Sequence, residues 1–238
     1  MRECLMPYFE ERTQPIDMIV IHCSAYPFEK CVEVWHDYKV APHYVIAEDG
    51  ELIKMVDEDK KAFHAGMGFW DGRDGSINDV SIGIELINST MGQDDNSYTD
   101  AQIATLILLC KNLMKKYDIK PCNVVGHSDV APCRKADPGR AFPWKKLADE
   151  GIGIWGDDKA IDECDIVSLL QKIGYDVRNE ETQIASAYAF RRHYLPQEIA
   201  IVENYQELLD NPYPRGDKSL LAGRDFLSAL NAVTCNKK

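Results

Sequence analysis

The segment 126–144, GHSDVAPCRKADPGRAFPW, concentrates side chains that can do chemistry. It holds an imidazole (His127), a primary amine (Lys135) and two carboxylates (Asp129 and Asp137). Prolines and glycines interrupt it throughout, which disfavours a regular helix or strand and indicates a shaped loop. Because a long loop in a compact domain is usually functional, we interpret this one as part of a site.

A hydrolytic metal site is one chemistry that these residue types permit. Such a site in zinc enzymes uses three protein ligands and keeps one position open for water. His127 and Asp137 offer two ligands, and His22, at the end of the apolar run 17–23, offers a third. Strand-end histidines and a loop carboxylate converge on one ion if the strands are neighbours. On residue types alone, a hydrogen-bonded core or capping role for each histidine stays the alternative.

Glu85 stands out because it lies inside the apolar run 80–87, VSIGIELI. A buried, unpaired carboxylate is costly, so its presence there predicts a role. Strand alternation puts Ser81, Gly83 and Glu85 on one face, and we expect the side-chain-free Gly83 to leave room for a ligand. A carboxylate beside a metal site can act as a general base. The alternative is an exposed position on an edge strand.

The elements that must position these residues alternate between the two regular types. Period-two and β-branched runs predict strands, and apolar residues at helical spacing after the cap Thr99 predict a long helix. The mixture predicts an α/β domain with a central mixed sheet flanked by helices. The predicted strands are 17–23, 43–47, 51–56, 80–87 and 123–126, with helices at 32–38 and 99–117.

Strand signals end after residue 155. The segment 156–158 is typical of a linker, and everything beyond it has helical spacing. We therefore predict two domains, 1–155 and 156–238, the second small and helical. Its predicted helices are 161–173, 182–193, 198–210 and 219–232.

Composition excludes several classes of function. The formal net charge of −12 over 238 residues opposes binding to the phosphate backbone of nucleic acids. No apolar run reaches the roughly 18 residues that span a bilayer, and the first residues lack the pattern of a signal peptide. We expect either a cytoplasmic protein or one whose export signal is missing from this sequence. The eight cysteines are irregularly spaced without a CxxC pair, so we expect mostly free thiols.

Several blocks in the right order over residues 17–147 carry a family resemblance. The chain resembles the type 2 N-acetylmuramoyl-L-alanine amidases, relatives of peptidoglycan recognition proteins and phage amidases. The blocks are IVIHCSA at 19–25, PHYVI with EDGELIK at 42–54, FHAG at 63–66, SIGIELIN at 81–88 and the loop 126–144. The resemblance implies one Zn²⁺ per chain, held by His22, His127 and Asp137. It also implies that Glu85 is the catalytic carboxylate and that Lys135 is the cation beside the scissile carbonyl.

The resemblance further implies a substrate and its contacts. Pro42 stands where the recognition-protein and phage branches have a tyrosine, which favours the bacterial branch, with Glu85 handling the proton. The expected substrate is peptidoglycan or its muropeptides, with intact or 1,6-anhydro muramic acid. Additional substrate-binding candidates are His64, Asn88, Arg134 and Arg140.

The C-terminal segments 169–177 and 187–196 resemble the three-helix peptidoglycan-binding domain. Together with an amidase this implies a protein of the bacterial cell envelope or periplasm, whereas the missing signal favours the cytoplasm. The alternative for this part is a helical cap that only packs on the enzyme. Nothing in the sequence indicates an oligomer, and a monomer is assumed.

Two other functions remain open at this point. Some relatives of the family bind peptidoglycan without cutting it, but those have lost a metal ligand that is present here. A lysozyme-type glycosidase would need two carboxylates about 5–9.5 Å apart and no metal.

Overall fold

The computed structural model describes residues 1–89, 98–156, 165–201 and 205–237. Within these residues it contains ten strands and eight α-helices. The strands are β1 Arg2–Glu3, β2 Phe9–Glu11, β3 Met18–Ser24, β4 Tyr44–Ile46, β5 Leu52–Lys54, β6 Lys60–Ala62, β7 Met67–Trp70, β8 Arg73–Ser76, β9 Ser81–Ile87 and β10 Val124–Gly126. The helices are α1 Phe28–Tyr38, α2 Asp100–Tyr117, α3 His127–Val130, α4 Trp144–Ala148, α5 Ile166–Ile173, α6 Glu180–Tyr194, α7 Tyr205–Asp210 and α8 Arg224–Asn236.

A six-stranded mixed sheet forms the centre, in the order β1-β5-β4-β9-β3-β10. The inner strands β3 and β9 run parallel over their full length, and β10 and β4 flank them in parallel. Strands that are covered on both faces have apolar residues on both faces, which explains why the sequences of β3 and β9 are almost continuously apolar. The predicted fold class, a mixed sheet flanked by helices, is confirmed.

Alternation along β3 divides its side chains between two hydrophobic clusters on opposite faces of the sheet. Ile19 and Ile21 pack in the cluster that contains the inner side of α2. Met18 and Val20 pack in another cluster with C-terminal side chains such as Leu170. The next residue of this second series is His22, so the histidine belongs to the face that the C-terminal helices cover.

Helix α2 begins where the sequence predicts. Thr99 caps it, its hydroxyl accepting from the Gln102 N–H at 3.1 Å while the Gln102 side chain accepts from the Thr99 N–H at 3.2 Å. This reciprocal pair satisfies two free backbone donors. The buried face of α2, with Ile103, Leu106 and Cys110, packs on the sheet.

The C-terminal helices share a core with the sheet. Leu169, Leu170 and Phe190 lie in one buried cluster with Met18 and Val20. The helical content predicted for this part is confirmed, whereas the division at residue 155 stays a prediction. Most of the predicted linker, 157 and 158, lies outside the described residues.

The largest differences from the predicted helix bounds concern three helices, and residues 161–164 of the predicted helix 161–173 lie outside the described residues. The prediction 198–210 is wrong at its start, because Pro196–Glu198 forms a 3-10 turn and Ile199 is extended. Residues 202–204 of this prediction lie outside the described residues, and Tyr205–Asp210 is helical as predicted. The prediction 219–232 spans a break, since Gly223 has φ of 119° between the 3-10 turn Lys218–Leu221 and α8, a backbone that favours glycine. Helix α1 begins at Phe28, four residues before the predicted start at 32.

Two further findings concern the membrane and the thiols. Among the described helices, none is both long enough and apolar enough to cross a bilayer. The seven cysteines in the described residues are free thiols, and Cys164 lies outside those residues.

Candidate active site

Three side chains converge at the carboxyl ends of two neighbouring strands. His22 lies near the end of β3, His127 directly follows β10, and Asp137 comes from the loop beyond it. Because β3 and β10 are parallel and adjacent, their ends meet at the same edge of the sheet. The structure thus brings together the three residues that the resemblance implies as metal ligands.

The three candidate ligand atoms form a nearly equilateral triangle. His22 Nδ1 lies 3.0 Å from His127 Nδ1 and 3.2 Å from Asp137 Oδ2, and His127 Nδ1 lies 3.1 Å from the same oxygen. A tetrahedral ion with bonds of about 2.0–2.1 Å separates its ligand atoms by about 3.3 Å. The triangle therefore has the size that such an ion requires.

The protonation of these groups suits metal binding. His127 Nε2 lies 3.1 Å from the Ala65 carbonyl, which only accepts, so this nitrogen carries the proton and Nδ1 is bare. Burial lowers the pKa of His127 to about 4. Burial alone would raise the pKa of Asp137, but His127 and His22 beside it hold that pKa well below its usual value. The site offers neutral imidazole nitrogen and an ionised carboxylate, donors that zinc accepts.

Glu85 lies beside the triangle. It is paired with His22 in the register of β9 and β3, and only 8% of it is exposed. The Ser24 hydroxyl donates to its Oε1 at 2.8 Å. Burial raises its pKa to about 7, with Asp137 adding to the rise and His22, Ser24 and Lys135 opposing it. A carboxyl poised near neutrality can both accept and release a proton, and the alternative of an exposed edge position is wrong.

The space expected beside Gly83 is not open. A Cβ built on Gly83 would lie 2.4 Å from Cγ and from Nδ1 of His64. The glycine therefore admits the His64 imidazole, and the expectation of room there for a ligand is wrong. Burial, followed by the charges of His22 and His43, holds the pKa of His64 well below its usual value.

The structure places His64, a substrate-binding candidate from the sequence, against His22. Its Nδ1 lies 2.9 Å from His22 Nε2, on the side of that ring away from the triangle. Asn88 is buried, and its N–H donates to the Ser24 carbonyl at 2.9 Å, which puts it near Glu85.

The three cations of the loop 126–144 have different surroundings. Lys135 is partly buried, and its charge lowers the pKa of both Glu85 and His127. Arg134 donates to the carbonyls of Ala65 and Met67. Arg140 Nε donates to the Pro196 carbonyl at 3.2 Å, so it reaches the C-terminal part. Substrate binding by Arg134 and Arg140 stays a prediction.

Sequence reasoning missed one contribution from outside the matched blocks. Tyr205 packs edge-on against Tyr26, with ring centroids 6.1 Å apart. Burial raises its pKa, and the negative charges of Asp137 and Glu85 raise it further, so a C-terminal phenol lies near the site. No signal in the sequence links a residue of α7 to the strand ends.

Asp129 has a structural position behind the site. Its buried carboxylate accepts from the Gly126 N–H at 2.7 Å, from the Tyr175 hydroxyl at 2.7 Å and from His193 Nδ1 at 2.9 Å. It therefore ties the loop that carries His127 and Asp137 to the C-terminal helices.

Comparison with known proteins agrees with this geometry. Residues 12–140 match the N-acetylmuramoyl-L-alanine amidase family. The chain is 35% identical over 209 residues to the N-acetylmuramoyl-L-alanine amidase AmiD of Escherichia coli, covering 76% of this chain and 75% of that protein. It is 43% identical over 124 residues to the 1,6-anhydro-N-acetylmuramyl-L-alanine amidase AmpD of the same species, covering 52% and 63%.

A solved structure extends the likeness over nearly the whole chain. It is AmiD from E. coli in complex with the substrate anhydro-N-acetylmuramic acid-L-Ala-D-γ-Glu-L-Lys. That structure superimposes with a TM-score of 0.73 at 29% identity, covering 96% of this chain and 93% of that one. The family match holds every residue of the triangle and Glu85. The chain therefore belongs to the N-acetylmuramoyl-L-alanine amidase family and is a hydrolase of the cell-wall amide bond that gives this family its name.

Proposed function

We propose that this enzyme uses one Zn²⁺, held by His22, His127 and Asp137, to release the stem peptide from N-acetylmuramic acid or its 1,6-anhydro form. The observation that carries the metal site is the triangle of ligand atoms, 3.0–3.2 Å on each side. One chain supplies all three ligands, so a monomer is sufficient for the reaction. The relatives that act on anhydro-muramyl substrates support this substrate class.

The ion would supply Lewis acidity, both to a water molecule and to the carbonyl of the scissile amide. Glu85 accepts a proton from the attacking water, because its carboxyl lies beside the triangle with a pKa near 7. The same carboxyl then returns the proton to the leaving amine of alanine. Lys135 opposes the negative charge that develops on the carbonyl oxygen, a contribution worth roughly 10²–10³ in rate for one donor in other enzymes.

The full chain with Glu85→Gln tests this assignment. We expect bound zinc to stay at one ion per chain while kcat falls by roughly 10²–10⁴, the range for a lost acid–base group. Metal analysis and mass spectrometry of digested muropeptides measure the two quantities. The control Glu33→Gln changes a side chain that is 65% exposed on α1 and should leave both unchanged. Normal turnover by Glu85→Gln would contradict the role.

The products also separate the other two functions. An amidase releases free stem peptide and stops when a chelator removes the metal. A glycosidase would produce new reducing sugar ends and would continue in the chelator. A recognition module would retain the muropeptide and release nothing.

We further propose that the C-terminal part, 156–238, binds peptidoglycan next to the amidase part, 1–155, and that the enzyme acts in the cell envelope. The match to AmiD over 96% of this chain supports this assignment. Turnover of intact sacculi by the full chain is the expected result. Activity confined to soluble anhydro-muropeptides would instead favour the cytoplasmic alternative.

A further inference from the structure

A chain of hydrogen bonds runs from a backbone carbonyl to the outer nitrogen of His22. The Ser81 hydroxyl lies 2.7 Å from the Ile77 carbonyl. Ser81 Oγ also lies 3.2 Å from His64 Nε2, and His64 Nδ1 lies 2.9 Å from His22 Nε2. Each of these side chains lies on the face of the sheet that carries the site.

The Ile77 carbonyl at one end determines which group donates in each of these hydrogen bonds. A carbonyl oxygen has no proton, so the Ser81 hydroxyl donates to Ile77 and keeps only its lone pairs for His64. His64 must then donate from Nε2, which leaves its Nδ1 bare. That bare nitrogen accepts from His22 Nε2, and the proton of His22 is therefore on the side away from the triangle.

The reverse order is disfavoured by the distances. It would need Ser81 to donate to His64 at 3.2 Å and abandon the carbonyl at 2.7 Å. It would also place a proton on His22 Nδ1, between the atoms of the triangle, and so oppose a cation there. The shorter contact selects the order that leaves His22 Nδ1 bare.

The turn that carries His64 also supports the second histidine. The side-chain oxygen of Asn78 accepts from the N–H groups of His64, Ala65 and Gly66 at 3.2, 2.7 and 3.0 Å. The Ala65 carbonyl in this turn accepts from His127 Nε2 at 3.1 Å. One anchored turn thus contacts the outer nitrogens of both histidines, His22 through an imidazole and His127 through a carbonyl.

We propose that Ser81 and His64 are positioning residues that fix the His22 tautomer and so hold its Nδ1 ready for a divalent cation. This proposal rests on the metal site of the proposed function. Partners that orient a metal-binding histidine in this way typically change metal affinity by roughly 10–100-fold when removed.

Ser81→Ala in the full chain is the test of affinity. The metal-free protein is titrated with Zn²⁺ against a competing fluorescent chelator, and we expect the dissociation constant to rise about 10-fold or more. Ser186→Ala is the matched control, because Ser186 is equally buried in α6 and its hydroxyl donates to the Asp176 carbonyl at 2.8 Å. The control should bind Zn²⁺ as the parent does. Equal affinity of Ser81→Ala and the parent would overturn the proposal.

Imidazole nitrogen NMR of the metal-free parent provides a second measurement that needs no variant. We expect His22 and His64 both to carry the proton on Nε2. A proton on His22 Nδ1 would overturn the proposal even if Zn²⁺ binds. Failure of the parent to bind Zn²⁺ would instead count against the proposed function. The NMR spectrum of the metal-free protein would still show the tautomers of His22 and His64 and so test this proposal separately.

Discussion

Gly83→Ala perturbs the support of His22 without touching any residue of the triangle. The added Cβ would lie 2.4 Å from two atoms of the His64 ring, where nonbonded carbon contacts are about 3.5–4.0 Å. The backbone of β9 cannot yield because its neighbours β3 and β4 pair with it on both sides. The ring must therefore move by about 1 Å, which is enough to break its 2.9 Å contact with His22.

The expected magnitudes follow from this displacement. Overpacking a buried site costs about 1–3 kcal/mol, and replacing glycine in a compatible backbone returns about 0.4–1 kcal/mol by restricting the unfolded chain. Gly83→Ala should thus lower the free energy of unfolding by roughly 1–2 kcal/mol. Loss of the contact between His64 and His22 should weaken Zn²⁺ binding by roughly 10–100-fold.

A double-mutant cycle with His64→Ala tests the cause. Once the ring is absent, the clash is absent too, so Gly83→Ala in that background should stabilise the protein by about 0.4–1 kcal/mol. Urea unfolding of the metal-free full chain measures the four free energies, and chelator competition measures the four affinities. The same destabilisation in both backgrounds would refute the reasoning, because the change would then act through something other than His64.

Gly156→Ala separates general instability from the effect on the site. A Cβ at Gly156 would lie 2.4 Å from the backbone carbon of Ala232 in α8, far along the chain from the triangle. We expect this variant to lose stability and to keep the Zn²⁺ affinity of the parent.

Two further predictions concern a stabilising carboxylate and the loop cation. Burial alone would raise the pKa of Glu58, but hydrogen bonds from Lys116 and two tyrosines lower it below its ordinary value of 4.5. A depressed pKa stabilises the fold above the unfolded-state pKa and loses that effect as pH falls through the folded one. Glu58→Gln should therefore cost about 1–3 kcal/mol in urea unfolding at pH 7 and progressively less as the pH falls below 4.5, and a cost that does not decrease with pH would contradict this. Lys135→Met should lower kcat by roughly 10²–10³ at unchanged zinc content, and a rise in KM alone would instead indicate substrate binding.

The residues near the triangle were predictable where local pattern determines position. The apolar runs predicted β3 and β9, and alternation predicted that Glu85 shares a face with Ser81 and Gly83. His22 and His127 could be expected to converge only if their strands were neighbours, which periodicity does not show. The pairing of β3 with β10 supplies that missing fact.

What the sequence could not predict depends on contacts between distant segments. The turn 63–66 gives no hint that the His64 ring lies over Gly83, because the contact joins two segments whose pairing has no local signal. Tyr205 of α7 could not be predicted near the site for the same reason, because its contact with the site joins two distant segments. Sequence reasoning misses the break at Gly223 because helical spacing continues through it, whereas its φ of 119° is incompatible with a helix.

The support of the triangle extends beyond the segment that defines the family. The family match ends at residue 140 and contains every residue of the triangle, yet Asp129 in the loop 126–144 is held by Tyr175 and His193 from the C-terminal part. Burying a carboxylate is costly unless donors of this kind satisfy its oxygens. Because the C-terminal helices also bury Met18 of β3, the same packing fixes the strand that carries His22. The C-terminal part therefore contributes to the geometry of the triangle through folding, whether or not it also binds peptidoglycan.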